Sequence, residues 1–136
     1  WHFGVGRFSD YTRMICLSEK NGGLKGYAAV VREDAPAIGL KRLRVADLFV
    51  ADDDPAAVNA LLTAAFEYGL SKRCHVLEVI GLTQTLRALV QAHKPLERRK
   101  PSFPFFYKAV TADLSVHLET ADGWYVTPYD GDQTLL

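Results

Sequence analysis

LRVADLFV (residues 43–50), ADDD (51–54), PAAVNALLTAAFEYGLSK (55–72) and CHVLEVI (74–80) follow one another with only Arg73 between, and their reading decides the fold. The first stretch closes a strand over Leu40 to Val50. Its end is a nearly unbroken apolar run (Val45, Ala46, Leu48, Phe49, Val50), the pattern of burial on both faces. The second stretch is a helix start. Pro55 suits the first helical position, Asp54 can accept from free N–H groups, and an acidic run suits the positive end of the helix dipole. In the third, Val58, Leu61, Leu62, Ala65, Phe66 and Gly69 recur at helical spacing as one apolar stripe, ending near Lys72 or Arg73. The fourth is a short strand over His75 to Ile80, rich in branched residues. A strand, a helix and a second strand in this order predict a crossover between two parallel neighbours.

Working outward, Tyr11 to Ser18 and Leu24 to Arg32 read as strands joined at Asn21-Gly22-Gly23. An Asn-Gly step between apolar runs is a hairpin signal because the tight turn needs positive φ. Residues 1–10 have no clear period and read as a linker or an additional strand ahead of a domain over 11–136. Downstream, Thr83 can cap a second helix with Leu86, Leu89, Val90 and His93 on one face, stopped by Pro95. Phe103 to Val110 reads as a strand. Leu114, Val116 and Leu118 alternate with polar residues as a half-exposed strand would, and Trp124 to Thr127 reads as a last short strand. The predicted order is β-β-β-α-β-α-β-β-β, an α/β domain with a mixed sheet flanked by helices.

Composition fits a globular domain: 136 residues, 49% hydrophobic and 24% charged. With 16 basic and 16 acidic residues the formal net charge is zero, against the basic excess of most nucleic-acid binders. No apolar run is long enough for a transmembrane helix, and no membrane partner is expected. Cys16 and Cys74 both lie in apolar runs and read as buried thiols, in keeping with a reducing, cytoplasmic setting. The chain starts at Trp1, and the expectation is a fragment of a longer protein.

The order and spacing of elements from about residue 11 to 110 resemble the core of the GNAT (acyl-CoA N-acyltransferase) superfamily from its second strand onward. Gly26-Tyr27-Ala28-Ala29-Val30 is similar to a strand of that core. Leu43 to Val50 resembles its central strand, and Pro55 to Lys72 the helix after it. Cys74 to Ile80 and Thr83 to His93 match the next strand and helix. The resemblance implies acetyl-CoA or another acyl-CoA as donor and an amine as acceptor. The pantetheine arm would lie in a gap beside the central strand, on the backbone of Leu48, Phe49 and Val50. The diphosphate would lie at the start of the helix, on Ala56 and Ala57, with Thr83 at the next helix where family members often carry Asn. Val90 falls near a position where many carry a Tyr that protonates the thiolate. The loop Ala51 to Ala57 departs from the family pattern: it has no Gly, Arg or Lys, Pro55 removes a donor, and three carboxylates oppose an anion.

Amine acylation needs a base and an acid. Glu78, in the strand flanking the expected gap, is the candidate base. Tyr107, in the closing strand, is the candidate acid. The four histidines have no ligand spacing and no Cys-x-x-Cys exists, so no metal is expected. Arg98, Arg99 and Lys100 read as a solvated loop, or as phosphate-binding charge that the 51–57 loop lacks. Two functions follow: an acyl-CoA-dependent N-acyltransferase, or a GNAT-like domain serving as a non-catalytic ligand-binding or interaction module, completed in either case by an upstream domain of the same chain.

Overall fold

In the computed structural model, residues 11–98, 107–120 and 124–126 are described. Their elements are strands β1 (Thr12–Ser18), β2 (Leu24–Arg32) and β3 (Arg42–Val50), helix α1 (Pro55–Ser71), strand β4 (Val76–Val79), and helices α2 (Gln84–Gln91) and α3 (Ala112–Leu118). The strands form one sheet in the order β1-β2-β3-β4, antiparallel except for the parallel pair β3 and β4. The predicted mixed sheet flanked by helices is therefore present.

The β1–β2 turn is built as its residues require. Gly22 has φ 87° and donates to the Glu19 carbonyl at 2.9 Å, while the Asn21 side chain accepts from the Gly23 N–H at 2.8 Å. The α1 start is equally direct: Asp54 accepts from the Ala56 N–H at 2.9 Å, and Pro55 occupies the first turn. At the other end Arg73 has φ 55°, and the Cys74 N–H closes on the Gly69 carbonyl at 2.9 Å, the left-handed stop that usually falls to glycine.

The core lies between α1 and one face of the sheet. Val58, Leu61, Leu62 and Ala65 pack on Ala28, Val30, Leu43, Val45, Leu48 and Val50, and Leu86 of α2 joins them. Full burial of a Leu such as Leu43, Leu48 or Leu61 stabilises by about 2 kcal/mol.

One irregularity shapes everything that follows. Ala29 pairs with Asp47 but Val30 with Val45, so Ala46 is an extra residue in β3. A bulge of one residue reverses the side-chain alternation. Leu43 and Val45 before it and Leu48 and Val50 after it thus all reach the α1 face, and Arg44, Asp47 and Phe49 are left on the opposite one.

Several expectations are corrected. β3 is not covered on both faces throughout, since Phe49 is 45% exposed. Residues 114–118 lie in α3, not a strand: Thr111 accepts from the Leu114 N–H, with Asp113 in the first turn and His117 in the last, which favours a helix. Residues 107–110 and 124–126 form no strand; the rest of those two predicted strands, and residues 1–10 and 99–100, lie outside the described residues. Cys16 is exposed because Ile15 and Leu17 take the core-facing positions of β1. Phe66 is also exposed, at the margin of the α1 stripe. His93 lies beyond α2 and is exposed, tied to Asn59 at 2.9 Å rather than packed.

Candidate functional site

The parallel pair is short. Arg42, Leu43, Arg44 and Val45 pair with Val76, Leu77, Glu78 and Val79, and there β4 ends. β3 continues to Val50, still paired with β2 through Gly26. From Ala46 to Val50 the other edge of β3 therefore has no strand neighbour among the described residues, and its backbone is not used in strand pairing on that side, although the Tyr125 phenol meets the Leu48 amide there. The predicted donor-binding residues Leu48, Phe49 and Val50 lie on this edge.

Two other predicted residues stand at the start of α1, in a setting the sequence did not show. Asp54 turns its carboxylate onto the N–H groups of Ala56 and Ala57 and is ion-paired with Lys25. Lys25, followed by the backbone donors, holds the Asp54 carboxyl below the usual carboxylate range. The chain thus supplies its own anion where a diphosphate would sit. Before it, Asp52 and Asp53 have φ of 58° and 48°; the loop has the left-handed backbone that glycine normally provides, without the glycine. The free β3 edge fits a pantetheine arm. The α1 start, with Asp54 in place and Pro55 beside it, does not fit a diphosphate.

Thr83 caps α2 by accepting from the Leu86 N–H at 3.3 Å. It also lines an open cleft of about 580 Å³ with Leu82, Gln84, Arg87, Trp124 and Val126. Arg87 donates to the Leu82 carbonyl at 3.3 Å, so a cation stands in the cleft beside the capped helix. Tyr107 reaches this region through Trp124, their ring centroids 5.1 Å apart, and the Trp124 indole donates to the Leu118 carbonyl at 2.8 Å.

Glu78 lies apart from Tyr107 in its bonding. Arg44 donates to it at 2.9 Å and Arg42 stands 4.0 Å away; both arginines also hold Glu33. This network bridges β3 and β4 where they still pair, on the face away from α1. As a base, Glu78 would have to act from inside that network.

Two residues not singled out from the sequence belong to the site. Asp47 lies on the free stretch of β3. Its Oδ2 accepts from the Tyr27 hydroxyl at 2.8 Å, and its Oδ1 is buried with no hydrogen-bond partner among the described residues. The Tyr27 and Phe49 rings, on directly opposed residues, stack beside it at 5.9 Å. Tyr125 lies against the same place: burial, then the charge of Asp47, pushes its phenol up, and the Leu48 backbone amide works the other way. The available signal for Asp47 was its position as the lone carboxylate inside LRVADLFV.

No family model and no curated protein sequence matches the chain. Solved structures do. A ribosomal-protein-alanine N-acetyltransferase from Brucella melitensis biovar Abortus 2308 superposes with a TM-score of 0.56 at 14% identity, covering 72% of each chain. An aminoglycoside acetyltransferase from an uncultured soil metagenomic sample gives 0.60 at 17% identity, over 73% of this chain and 68% of that one. An aminoglycoside N-acetyltransferase in complex with CoA gives 0.56 at 14% identity, over 74% and 78%. The chain has the fold of the GNAT acetyltransferases. Identities this low establish the fold alone. Among the described residues no helix is long and apolar enough to cross a membrane, and no group of three or more His, Cys, Asp or Glu side chains could hold a metal ion.

Proposed function

We propose that the protein is an acyl-CoA-dependent N-acyltransferase domain that moves an acyl group from a thioester to an amine. The observation that carries this reading is the early end of β4, which leaves the β3 edge from Ala46 to Val50 without a strand neighbour among the described residues. An extended pantetheine arm can pair with that edge as a strand would, along Leu48, Phe49 and Val50, and continue past Thr83. The neighbour holding CoA has the same fold. Arg87 is the cation best placed to meet the donor's phosphates, in place of Ala56 and Ala57. Tyr107, whose ring meets Trp124 of the cleft lining, is the candidate acid, and Glu78 the candidate base. The acceptor is an amine, as in the named acetyltransferase neighbours. The free thiols of Cys16 and Cys74 suit a reducing, cytoplasmic setting.

A second reading, a non-catalytic ligand-binding or interaction module, is favoured by Asp54 occupying the α1 start. Titration calorimetry with acetyl-CoA separates the two. Micromolar binding, about −8 kcal/mol, with thiol release in the presence of an amine, supports the enzyme. No binding at millimolar acetyl-CoA overturns it in favour of the module. Glu78→Gln and Tyr107→Phe variants with unchanged rates would remove those two residues from the mechanism.

A further inference from the structure

Asp47 is the one described residue with a buried side-chain polar atom lacking a partner. A buried oxygen without a donor is costly, and more so on a group that ionises. Nothing in the sheet requires a carboxylate there: the α1-facing positions of β3 are filled by Leu43, Val45, Leu48 and Val50. Asp47 is nevertheless held in a defined orientation, since Tyr27 across the strand pair occupies Oδ2 and leaves Oδ1 as the buried, unpartnered acceptor. The stacked rings of Tyr27 and Phe49 form an apolar and π-rich wall beside it. An acceptor-only oxygen next to aromatic faces matches an alkylammonium ion, whose N–H groups satisfy the carboxylate and whose charge suits the rings. A neutral hydroxyl would supply a donor without the charge, and an anion would supply neither.

From this geometry we infer that Asp47 is the residue that recognises the acceptor, and that the acceptor is a cationic alkylamine bound through its ammonium group to Asp47 Oδ1 at the free β3 edge. The identification of this ligand as an acyl acceptor rests on the N-acyltransferase reading; the ammonium site itself does not. Tyr125, which lies against Asp47 and Leu48, is the group such a ligand would meet on reaching the edge.

The test is a titration of the full chain, isotopically labelled, with n-butylammonium and with n-butanol as the neutral analogue, followed by amide shifts in NMR. Saturable shifts at Asp47, Leu48 and Phe49 for the ammonium, absent for the alcohol, are expected. Asp47→Asn should weaken ammonium binding at least about tenfold, the loss expected for a charge-assisted hydrogen bond. Tyr27→Phe, which keeps the carboxylate, should retain more binding than Asp47→Asn and guards against a folding defect. Equal response to the alcohol, or unchanged affinity in Asp47→Asn, overturns the inference. Parallel acetyl-CoA titrations keep the two ideas separable. Asp47-dependent ammonium binding without donor binding sinks the acyltransferase reading alone. Donor binding and turnover with an unchanged amine KM in Asp47→Asn sinks the recognition role alone.

Discussion

Replacing Gly26 by Ala tests the link between sheet packing and the site. Gly26 is buried in β2, opposite Val50 at the end of the free β3 stretch. A Cβ there would stand 2.7 Å from the Phe49 carbonyl oxygen, 3.1 Å from Val50 Cγ2 and 3.2 Å from Val50 Cα. Two of these atoms are backbone, so no rotamer change relieves the contact, and β3 must move by about half an ångström to regain ordinary separation. Overpacking of this kind costs about 1–3 kcal/mol, offset by up to about 1 kcal/mol from the stiffer unfolded chain. A net loss of about 1.5 kcal/mol lowers Tm by about 5 °C for a domain of this size. Scanning calorimetry reads it. Because the displaced segment is Phe49–Val50, ligand affinity at the β3 edge should fall as well. Gly22→Ala is the control: φ is 87° but nothing lies within 4 Å of the added Cβ, so it should destabilise through backbone strain and leave ligand affinity alone. A Gly26→Ala protein that melts within a degree of the parent would refute the close-contact argument.

Leu61→Ala, at a residue 1% exposed in the α1 core, should cost about 3 kcal/mol, whereas Phe66→Ala, at 54% exposure, should change stability by less than about 1 kcal/mol; urea melts compare them. Changing Asp52 and Asp53 together to Gly relieves two positive-φ residues and should stabilise by about 0.5–1 kcal/mol; it should also tighten acetyl-CoA, and calorimetry showing weaker binding would count against the repulsion argument. Tyr125 stays neutral in the folded protein at pH values where it ionises in the unfolded chain, because burial and then Asp47 raise its phenol. Its raised value means that stability present below about pH 10 is lost as pH climbs above it; urea melts across pH 9 to 11 should show this slope, and Tyr125→Phe should flatten it.

The elements whose local chemistry is unambiguous were legible in the sequence. Asn21-Gly22 gave the hairpin, Asp54-Pro55 and Thr83 gave the two helix starts, and the strand–helix–strand order gave the parallel crossover. Residues 112–118 were misread because Leu114, Val116 and Leu118 satisfy a two-residue period over a segment too short for the helical one to show. There the Thr111 cap decides, and it outweighs alternation. The site was only half legible. An apolar run locates β3, but the bulge at Ala46 depends on pairing with β2, and without it the faces of Asp47 and Phe49 come out reversed. The placement of Tyr125 against Asp47 depends on a contact across about eighty residues, which no local pattern carries.

The bulge and the short β4 act together. Had β3 run without Ala46 as an extra residue, Leu48 and Val50 would have left the α1 face and Asp47 would have turned into it, an uncompensated carboxylate against Leu61 and Val58. The bulge keeps the core continuous and puts the one carboxylate of the strand on the face away from α1, at the point where β4 stops. Beside it, charge is divided unevenly. Arg42, Arg44, Glu33 and Glu78 satisfy one another where the strands still pair, and Asp54 is matched by Lys25. Asp47 Oδ1 has no such match among the described residues. The free edge therefore offers backbone to an extended donor and an oriented acceptor oxygen to a cation, which is the pair of ligands that an amine acylation brings together.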